Sequence, residues 1–326
     1  MVKAIGLLSG GLGSMLAVKV IQEQGIDVLG VSFRTPFFGA DKARSAAEVL
    51  GIELEVMDIT GEHLEMVKDP PHGYGRNMNP CIDCHAMMFN HAGGLMERTG
   101  SDFIFSGEVL GERPMSQNRQ ALSVVARGSG YGDYIVRPLS ARLLPVSAPE
   151  EKGLVNRDLL LDISGRSRKP QMELAARYGF TDYPNPAGGC LLTDPGFSAR
   201  LRELEEKEPS FTARDVEFLK VGRQFRLPGG AKLVVGRKHA ENERLLELAR
   251  VGDIVIKADG YAGPVCVIPG GEAGGDIEKA ASICLRYSDA PGDKEKLAEV
   301  RRGGDVRMLR VRPCDQADVD SVRIGV

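Results

Sequence analysis

The sequence lacks the two features by which membrane and exported proteins are usually recognised. No apolar run among its 326 residues approaches the roughly 20 residues that a membrane-spanning helix needs. No basic segment followed by an apolar one precedes the first predicted strand, so nothing indicates a secretory leader. Hydrophobic residues make up 42% of the chain, which is typical of a globular protein. We therefore expect a cytoplasmic protein with no membrane partner.

The sequence also has little charge imbalance and few cysteines. Its formal net charge of −3 argues against a protein that coats nucleic acid along its whole surface, although a local basic face stays compatible with it. Six cysteines in a cytosolic chain indicate metal, redox or catalytic thiols before they indicate disulfides. The length permits one large core or two ordinary ones, and two domains are the natural expectation.

A glycine-rich segment near the N-terminus follows an apolar strand and precedes a helical pattern. Ala4 to Leu8 are predicted to form a short buried strand, and the glycines of the next residues cannot continue it. At such a junction, backbone N–H groups and the positive end of the helix dipole face one point, where a phosphate can bind. An ordinary strand-to-helix turn has the same spacing. Ser9 and Ser14 favour the phosphate site, because they add hydroxyl donors at the same point.

Short apolar strands alternate with amphipathic helices from residue 1 to about residue 194. This alternation predicts right-handed βαβ units and a parallel sheet covered by helices on both faces. Ligands of such sheets bind at the carboxyl ends of the strands. We therefore expect the first loop to share one rim with later strand ends, which lie at Ser32 and Phe33, at Asp58, and at Ser106 and Gly107.

Two cysteines three residues apart stand in an irregular segment between His72 and His85. Cys81 and Cys84 have the spacing of a bidentate metal or redox element, because irregular backbone lets both sulfurs point at one centre. The pair supplies half of a tetrahedral site, and Cys190 is the best distant donor. Either histidine is a candidate for a fourth ligand. The remaining cysteines lie in apolar sequence and are expected to be buried structural thiols, namely Cys266, Cys284 and Cys314.

The segment SGGLGS, residues 9–14, resembles the SGGxDS signature of the PP-loop ATP pyrophosphatases. The chain has neither a GxxxxGK[ST] loop nor a GxGxxG motif. The resemblance implies a Rossmann-like sheet of the adenine nucleotide alpha hydrolase type, which binds ATP with Mg²⁺ and transfers AMP to an acceptor. The family's acidic residue falls at Gly13, so its carboxylate is missing here. The nucleotide-binding residues that the motif and the strand ends indicate are Ser9, Gly10, Gly11, Gly13, Ser14, Ser32, Phe33, Ser106 and Gly107.

The segment NPCIDC is similar to the segment that carries a catalytic cysteine in the tRNA 2-thiouridylases. A second family cysteine follows much later in the chain, so the resemblance implies catalytic roles for Cys84 and Cys190. Cys81 is extra relative to those disulfide-using enzymes. A CxxC pair with one distant cysteine resembles instead the PP-loop tRNA thiolation enzymes that hold a 4Fe-4S cluster through three cysteines. The metal ligands expected from this resemblance are Cys81, Cys84 and Cys190, with zinc as the alternative metal.

A further strand end is similar to the TGHxAR segment by which the thiouridylases contact nucleotide. It reads Ser106-Gly107-Glu108, and Glu108 stands where the histidine is expected. The basic loop downstream suits a phosphate of ATP or of an RNA backbone. A solvated loop with extended arginines explains the same composition.

The sequence changes character from Phe197, where a highly charged helical stretch indicates a connector. We place the domain boundary between residues 198 and 199. Short β-rich pieces follow and predict a smaller α+β domain. From about Arg223 to Arg312 the segments resemble the RNA-binding domain of the NFACT proteins, and GRKHAEN at residues 236–242 carries the match. The resemblance implies an RNA partner for residues 199–326.

A basic surface with aromatic residues would suit that RNA. Phe225 or Tyr261 could stack on bases. The basic residues that this surface would use are Arg223, Arg226, Lys232, Arg237, Lys238, Arg310 and Arg312.

These patterns together predict an ATP-dependent RNA sulfurtransferase that acts on tRNA. A base carbonyl oxygen would attack ATP, and sulfur would then displace AMP from the base. The sulfur would come from sulfide or a persulfide carrier, through a cluster or through a persulfide on Cys190 that Cys84 resolves. One alternative is an RNA-binding protein with structural zinc, in which Gly13 has abolished ATP turnover. Another is a PP-loop ligase that transfers nitrogen, which has no need of the three cysteines.

Overall fold

The computed structural model describes residues 1–181, 183, 189–271, 274–292 and 294–325. The chain divides into two compact units, Met1–Thr193 and Asp194–Val326. The boundary predicted after residue 198 falls inside the first helix of the second unit, Pro195–Lys207. Among the described helices, none combines the length and the apolar character that a membrane crossing needs.

In the described residues of the first unit, five strands form one parallel sheet. They are β1 Lys3–Leu7, β2 Asp27–Arg34, β3 Glu53–Asp58, β4 Phe103–Ser106 and β5 Ile135–Val136. Their order is β3-β2-β1-β4-β5, and every neighbouring pair is parallel. The chain therefore reverses its direction of winding at β1, and the crevice beside the carboxyl end of β1 is where such sheets bind ligands.

Helices connect these strands and cover both faces of the sheet. They are α1 Leu12–Gln22, α2 Asp41–Leu50, α3 Thr60–Lys68, α4 Cys81–Thr99, α5 Arg119–Gly128, α6 Ala148–Glu151 and α7 Lys169–Arg177. Successive residues of β1 point to opposite faces, because side chains alternate along a strand. Ala4 lies in the apolar cluster that includes α1 and α2, and Ile5 lies in the cluster that includes α4. This arrangement confirms the predicted Rossmann-like α/β fold of the first domain.

In the second unit, the described residues form a six-stranded antiparallel sheet with helices. The strands are β6 Arg223–Arg226, β7 Lys232–Val235, β8 Ile254–Ala258, β9 Cys266–Ile268, β10 Lys296–Arg302 and β11 Asp305–Val311, in the order β11-β10-β8-β9-β7-β6. The helices are α8 Pro195–Lys207, α9 Ala213–Leu219, α10 His239–Leu248, α11 Ile277–Arg286 and α12 Gln316–Asp320. The predicted smaller α+β domain is confirmed.

The core of the second unit lies between this sheet and α11. Phe225 is fully buried there, 6.3 Å from the ring of Tyr287. The expectation that Phe225 stacks on RNA bases is therefore wrong, because its ring fills the core. Tyr261 is 38% exposed and stays available at the surface. The expected burial of the three cysteines in apolar sequence is confirmed, for Cys266, Cys284 and Cys314.

Replacing Phe225 by alanine is expected to lower the free energy of unfolding by about 3–5 kcal/mol, the usual cost of removing a buried phenyl ring. Urea denaturation followed by circular dichroism measures this. Tyr261→Ala is the matched control, and we expect it to change stability by less than about 0.5 kcal/mol. Equal stability of the two variants would contradict the placement of Phe225 in the core.

Candidate nucleotide and thiol site

The glycine-rich turn lies between the end of β1 at Leu7 and the start of α1 at Leu12. No side chain caps the first turn of α1, whose N-cap residue is Gly11. Ser14 Oγ instead donates to Gly11 O at 2.8 Å, and Ser9 Oγ lies 3.4 Å from Ser14 Oγ. The N–H groups at the start of this helix thus keep their capacity for an anion, as the predicted phosphate site requires.

Gly10 and Gly13 are glycines because other backbone approaches them. Gly10 has a φ of 74°, and a Cβ built on it would lie 2.3 Å from the carbonyl oxygen of Lys42 at the start of α2. A Cβ on Gly13 would lie 2.7 Å from the carbonyl oxygen of Gly107. Conversely, a Cβ on Gly107 would lie 2.3 Å from the carbonyl carbon of Gly13. The turn and the end of β4 therefore meet backbone against backbone.

This contact explains the departure from the SGGxDS signature. A carboxylate at position 13 needs a Cβ, and the space for it is filled by the backbone at Gly107. Ser106 and Gly107 thus lie at the same rim as the turn. Ser32 and Phe33 lie near the carboxyl end of β2, and both are 5% exposed.

The CxxC pair lies in the first turn of α4, which begins at Cys81, and not in irregular backbone as the sequence suggests. Cys81 Sγ accepts a hydrogen bond from Asn79 Nδ2 at 3.2 Å. Burial raises the pKa of the Cys84 thiol well above its usual range, and the neighbouring Cys190 and Cys81 raise it further. Burial also raises the pKa of Cys190 to about 11. Cys81 and Cys190 are thus close enough to act electrostatically on Cys84, and Cys84 and Cys190 are protonated at neutral pH.

Two hydrogen bonds hold the segment after Cys190 in this place. Leu191 N donates to the carbonyl oxygen of Phe37 at 3.0 Å. Asn77 Nδ2 donates to the carbonyl oxygen of Thr193 at 2.7 Å. Residues 182 and 184–188, which form much of the proline-rich and glycine-rich segment before Cys190, lie outside the described residues.

The two histidines considered as fourth metal ligands are each bonded to a carboxylate. His72 Nδ1 lies 2.6 Å from Asp83 Oδ1, and His85 Nδ1 lies 2.8 Å from Glu108 Oε1. In the part of the chain that the structure describes, no group of three or more His, Cys, Asp or Glu side chains is arranged to hold a metal ion. The metal site expected at Cys81, Cys84 and Cys190 therefore stays a prediction.

A buried ion pair lies beside the rim. Glu108 follows Gly107, and its Oε2 accepts from Arg137 Nε at 2.8 Å. Burial would raise the pKa of Glu108, but the Arg137 guanidinium and the hydrogen bond with His85 lower it to about 2. Both carboxylate oxygens are occupied, because His85 bonds Oε1 while Arg137 and Ser106 Oγ both donate to Oε2. Glu108 therefore cannot replace the carboxylate that is missing at Gly13 without giving up these partners.

The rim and the thiols are joined through Glu108. Gly13 contacts Gly107, the adjacent Glu108 bonds His85, and His85 directly follows Cys84. The nucleotide turn and the helix that carries the CxxC pair are thus connected at the carboxyl end of the sheet.

Sequence reasoning did not single out His63, whose Nε2 lies 3.3 Å from Cys84 Sγ. Burial lowers the pKa of His63 to about 4, so the ring is neutral at pH 7. His63 lies in an amphipathic helix and belongs to no recognisable motif. A lone histidine beside apolar residues is usually assigned to the core. Arg137 belongs to the basic segment downstream of β4, and its pairing with Glu108 has no signal in the residue spacing.

In the second unit, two of the five arginines expected to contact RNA are already paired with carboxylates. Arg226 bonds Glu203 and Glu208, at 2.7 and 2.8 Å, and Arg237 bonds Glu241. Lys232 is 5% exposed, so its side chain is not part of a surface.

The GRKHAEN segment has a structural role in this unit. Asn242 Oδ1 accepts from Val265 N at 3.0 Å and would lie 2.1 Å from a Cβ on Gly236. Asn242 in α10 therefore packs against Gly236 after β7 and hydrogen-bonds the residue before β9.

Comparison with known proteins gives relatives for both parts of the chain. Residues 222–322 match the family described as NFACT protein RNA binding domain. The tRNA-specific 2-thiouridylase MnmA of Symbiobacterium thermophilum is 25% identical over 222 residues, which are 60% of this chain and 54% of that protein. The enzyme of the same name from Thiobacillus denitrificans is 27% identical over 225 residues, which are 62% of this chain and 58% of that protein. The chain thus spans little more than half the length of these relatives.

Solved structures with similarity include a 4-thiouridine synthetase in complex with RNA and bound ATP. Its identity is 19%, the match covers 67% of this chain and 52% of that chain, and the TM-score is 0.35. A predicted subunit of tRNA methyltransferase from Methanocaldococcus jannaschii is 13% identical, with coverage of 54% and 76% and a TM-score of 0.35.

The comparisons confirm the resemblance predicted from the sequence. The chain is similar to the thiolation branch of the PP-loop proteins, and its residues 222–322 are similar to the NFACT RNA-binding domain.

Substituting Gly13 tests the contact between the turn and β4. Gly13→Ala is expected to lower the free energy of unfolding by about 1–3 kcal/mol, the usual cost of an overpacked position. Gly11→Ala is the matched control, since a Cβ there would have 3.4 Å to its nearest neighbour and φ is −84°. Urea denaturation of both variants measures the difference. A Gly13→Ala protein as stable as Gly11→Ala would show that the contact is loose.

Proposed function

We propose that the protein is an ATP-dependent tRNA sulfurtransferase, with residues 1–198 as the ATP-binding and sulfur-transfer domain and residues 199–326 as the RNA-binding domain. The observation that carries the proposal is the connection of the glycine-rich turn to the helix of the CxxC pair through Gly107, Glu108 and His85. A nucleotide site alone would serve many reactions. A nucleotide site joined to clustered thiols suits the activation of an oxygen and its replacement by sulfur.

ATP would bind with its phosphates at the start of α1, where no side chain of the N-cap residue bonds the N–H groups of the first turn. Mg²⁺ would accompany the phosphates. The carbonyl oxygen of an RNA base attacks the α-phosphorus, and pyrophosphate leaves. The oxygen of the base then departs as AMP, which is a far better leaving group than an oxide.

Sulfur would reach the base by way of two cysteines. A persulfide on Cys190 carries the sulfur: the Cys190 sulfur attacks the outer sulfur of a persulfide carrier, and the carrier leaves as its own thiol. The Cys84 sulfur attacks the inner sulfur of this persulfide as its proton passes to the outgoing sulfur. A Cys84–Cys190 disulfide forms, and the outer sulfur leaves as hydrogen sulfide, which ionises to hydrosulfide. Hydrosulfide displaces AMP from the base carbon. An external dithiol then reduces the disulfide. The closeness of Cys84 and Cys190 supports this route.

The family resemblance supports a second route, in which a 4Fe-4S cluster bound by Cys81, Cys84 and Cys190 supplies the sulfur, with zinc as the alternative metal. The arrangement of the described thiols favours the first route, since none of the described residues form a group suited to a metal ion.

An RNA-binding protein without catalysis is the second candidate function. The missing carboxylate at Gly13 favours it, and the NFACT match at residues 222–322 is equally compatible with it. Release of pyrophosphate separates the two candidates, because a protein that only binds RNA does not cleave ATP.

Cysteine variants test the thiol route. Cys190→Ser is expected to reduce thionucleoside formation in tRNA by at least about a hundredfold, since loss of a nucleophile costs several orders of magnitude. Pyrophosphate release should persist, because adenylation uses no thiol. Mass spectrometry of digested tRNA and a pyrophosphate assay measure the two steps.

The matched control is Cys314→Ser, a cysteine of the second unit that is 8% exposed. It should keep both activities. Thiolation by Cys190→Ser at the rate of the control would exclude the proposed route. If the protein releases no pyrophosphate, whether or not tRNA is added, the RNA-binding candidate is favoured.

Anaerobic purification followed by metal and sulfide analysis tests the second route. Under the thiol route, we expect neither iron with acid-labile sulfide nor stoichiometric zinc. Iron and sulfide in equal amounts, lost in Cys81→Ala, would show that the cluster supplies the sulfur. Zinc at one atom per chain would show a structural metal.

A further inference from the structure

His63 lies in a closed environment next to one of the two proposed sulfur-transfer cysteines. It belongs to α3 and has no exposed surface. Its ring lies between two phenyl rings, with centroid distances of 5.6 Å to Phe37 and 5.3 Å to Phe38, the second in an edge-on arrangement. Its Nε2 lies 3.3 Å from Cys84 Sγ. The ring is therefore held in one orientation, with one nitrogen at the sulfur.

The second nitrogen of this ring decides which way the hydrogen bond runs. His63 Nδ1 is buried and has no hydrogen-bond partner among the described residues. A proton on Nδ1 would leave a donor buried without an acceptor, which is costly. A proton on Nε2 places the donor against Cys84 Sγ and leaves only a bare lone pair at Nδ1. The hydrogen-bond network thus assigns the Nε2–H tautomer, and His63 donates to the sulfur.

The same group of residues also positions Cys190. Phe37 packs on the His63 ring, and its carbonyl oxygen accepts from the N–H of Leu191, the residue after Cys190. Thr35 Oγ1 accepts from the N–H groups of Phe37 and Phe38, which fixes the turn that carries both rings. One small structural unit therefore locates both sulfurs.

We propose that His63 is a positioning residue that holds the Cys84 sulfur by an N–H···S hydrogen bond and stabilises its reduced form against the Cys84–Cys190 disulfide. A thiol or thiolate sulfur accepts a hydrogen bond better than a disulfide sulfur does, so the bond is strongest when the disulfide is broken. The role of this disulfide in sulfur transfer rests on the proposed function, whereas the hydrogen bond and its effect on the redox equilibrium do not.

The redox equilibrium of the two cysteines with glutathione tests this role. Two glutathione thiols break the Cys84–Cys190 bond and leave as oxidised glutathione, and their protons and electrons pass to the two cysteine sulfurs. The full chain is equilibrated at pH 7 in defined ratios of reduced to oxidised glutathione, acid-quenched and alkylated. Peptide mass spectrometry then gives the fraction with Cys84 joined to Cys190.

His63→Leu removes the donor and is expected to shift this equilibrium about fivefold toward the disulfide, the effect of losing one net hydrogen bond. His63→Gln keeps an N–H near the position of Nε2 and should lie within about twofold of the unchanged protein. His91→Leu is the matched control, because His91 bonds the surface residue Glu62 instead of a thiol, and it should cause no shift.

An unshifted equilibrium in His63→Leu would overturn the proposal, and so would a shift in His63→Gln as large as that in His63→Leu. Failure to form the Cys84–Cys190 disulfide at any glutathione ratio would overturn it as well. If His63→Leu does not fold, His63→Asn replaces it, since its shorter amide does not reach the sulfur and should behave as a donor loss. The assay contains neither ATP nor RNA, so failure of tRNA thiolation would remove the proposed function and leave this result standing.

Discussion

The close approach of two backbone segments at Gly13 and Gly107 is the constraint on which the first unit depends. Neither residue has room for a Cβ, so the turn after β1 and the end of β4 meet without any side chain between them. This contact draws the phosphate-facing start of α1 next to Glu108, and Glu108 reaches the helix of the CxxC pair through His85. The contact between Gly13 and Gly107 joins the turn to the end of β4. The same contact leaves no space at position 13 for the carboxylate of the SGGxDS signature.

The sulfurs are enclosed in a way that suppresses their reactivity at rest. Burial raises the pKa values of Cys84 and Cys190, so both are thiols at neutral pH. No cationic side chain hydrogen-bonds to Cys84; its described partner is the neutral imidazole of His63. A protonated thiol reacts slowly with oxidants and alkylating agents, and it gains nucleophilic character only when a reaction partner draws its proton away.

The fold could be predicted from the sequence, since alternating strands and helices leave few topologies for a parallel sheet. The grouping of Cys81, Cys84 and Cys190 was suggested by residue type, spacing and family resemblance, and it stays a prediction. His63 could not be found in this way, because its role depends on how α3 packs against α4. The burial of Phe225 was missed for a related reason: an aromatic residue between arginines has the composition of an RNA-binding strand, and only its place in the sheet shows which face it occupies.

The pairing of arginines with glutamates in the second unit has a thermodynamic consequence. Arg226 and Arg237 are neutralised within the protein by Glu203, Glu208 and Glu241, so they hold few mobile anions in solution and displace few cations from an RNA backbone. The steep ionic-strength dependence of many nucleic-acid complexes arises from release of such counterions. Phosphate contacts made by these two arginines would therefore add little to the salt dependence of a complex.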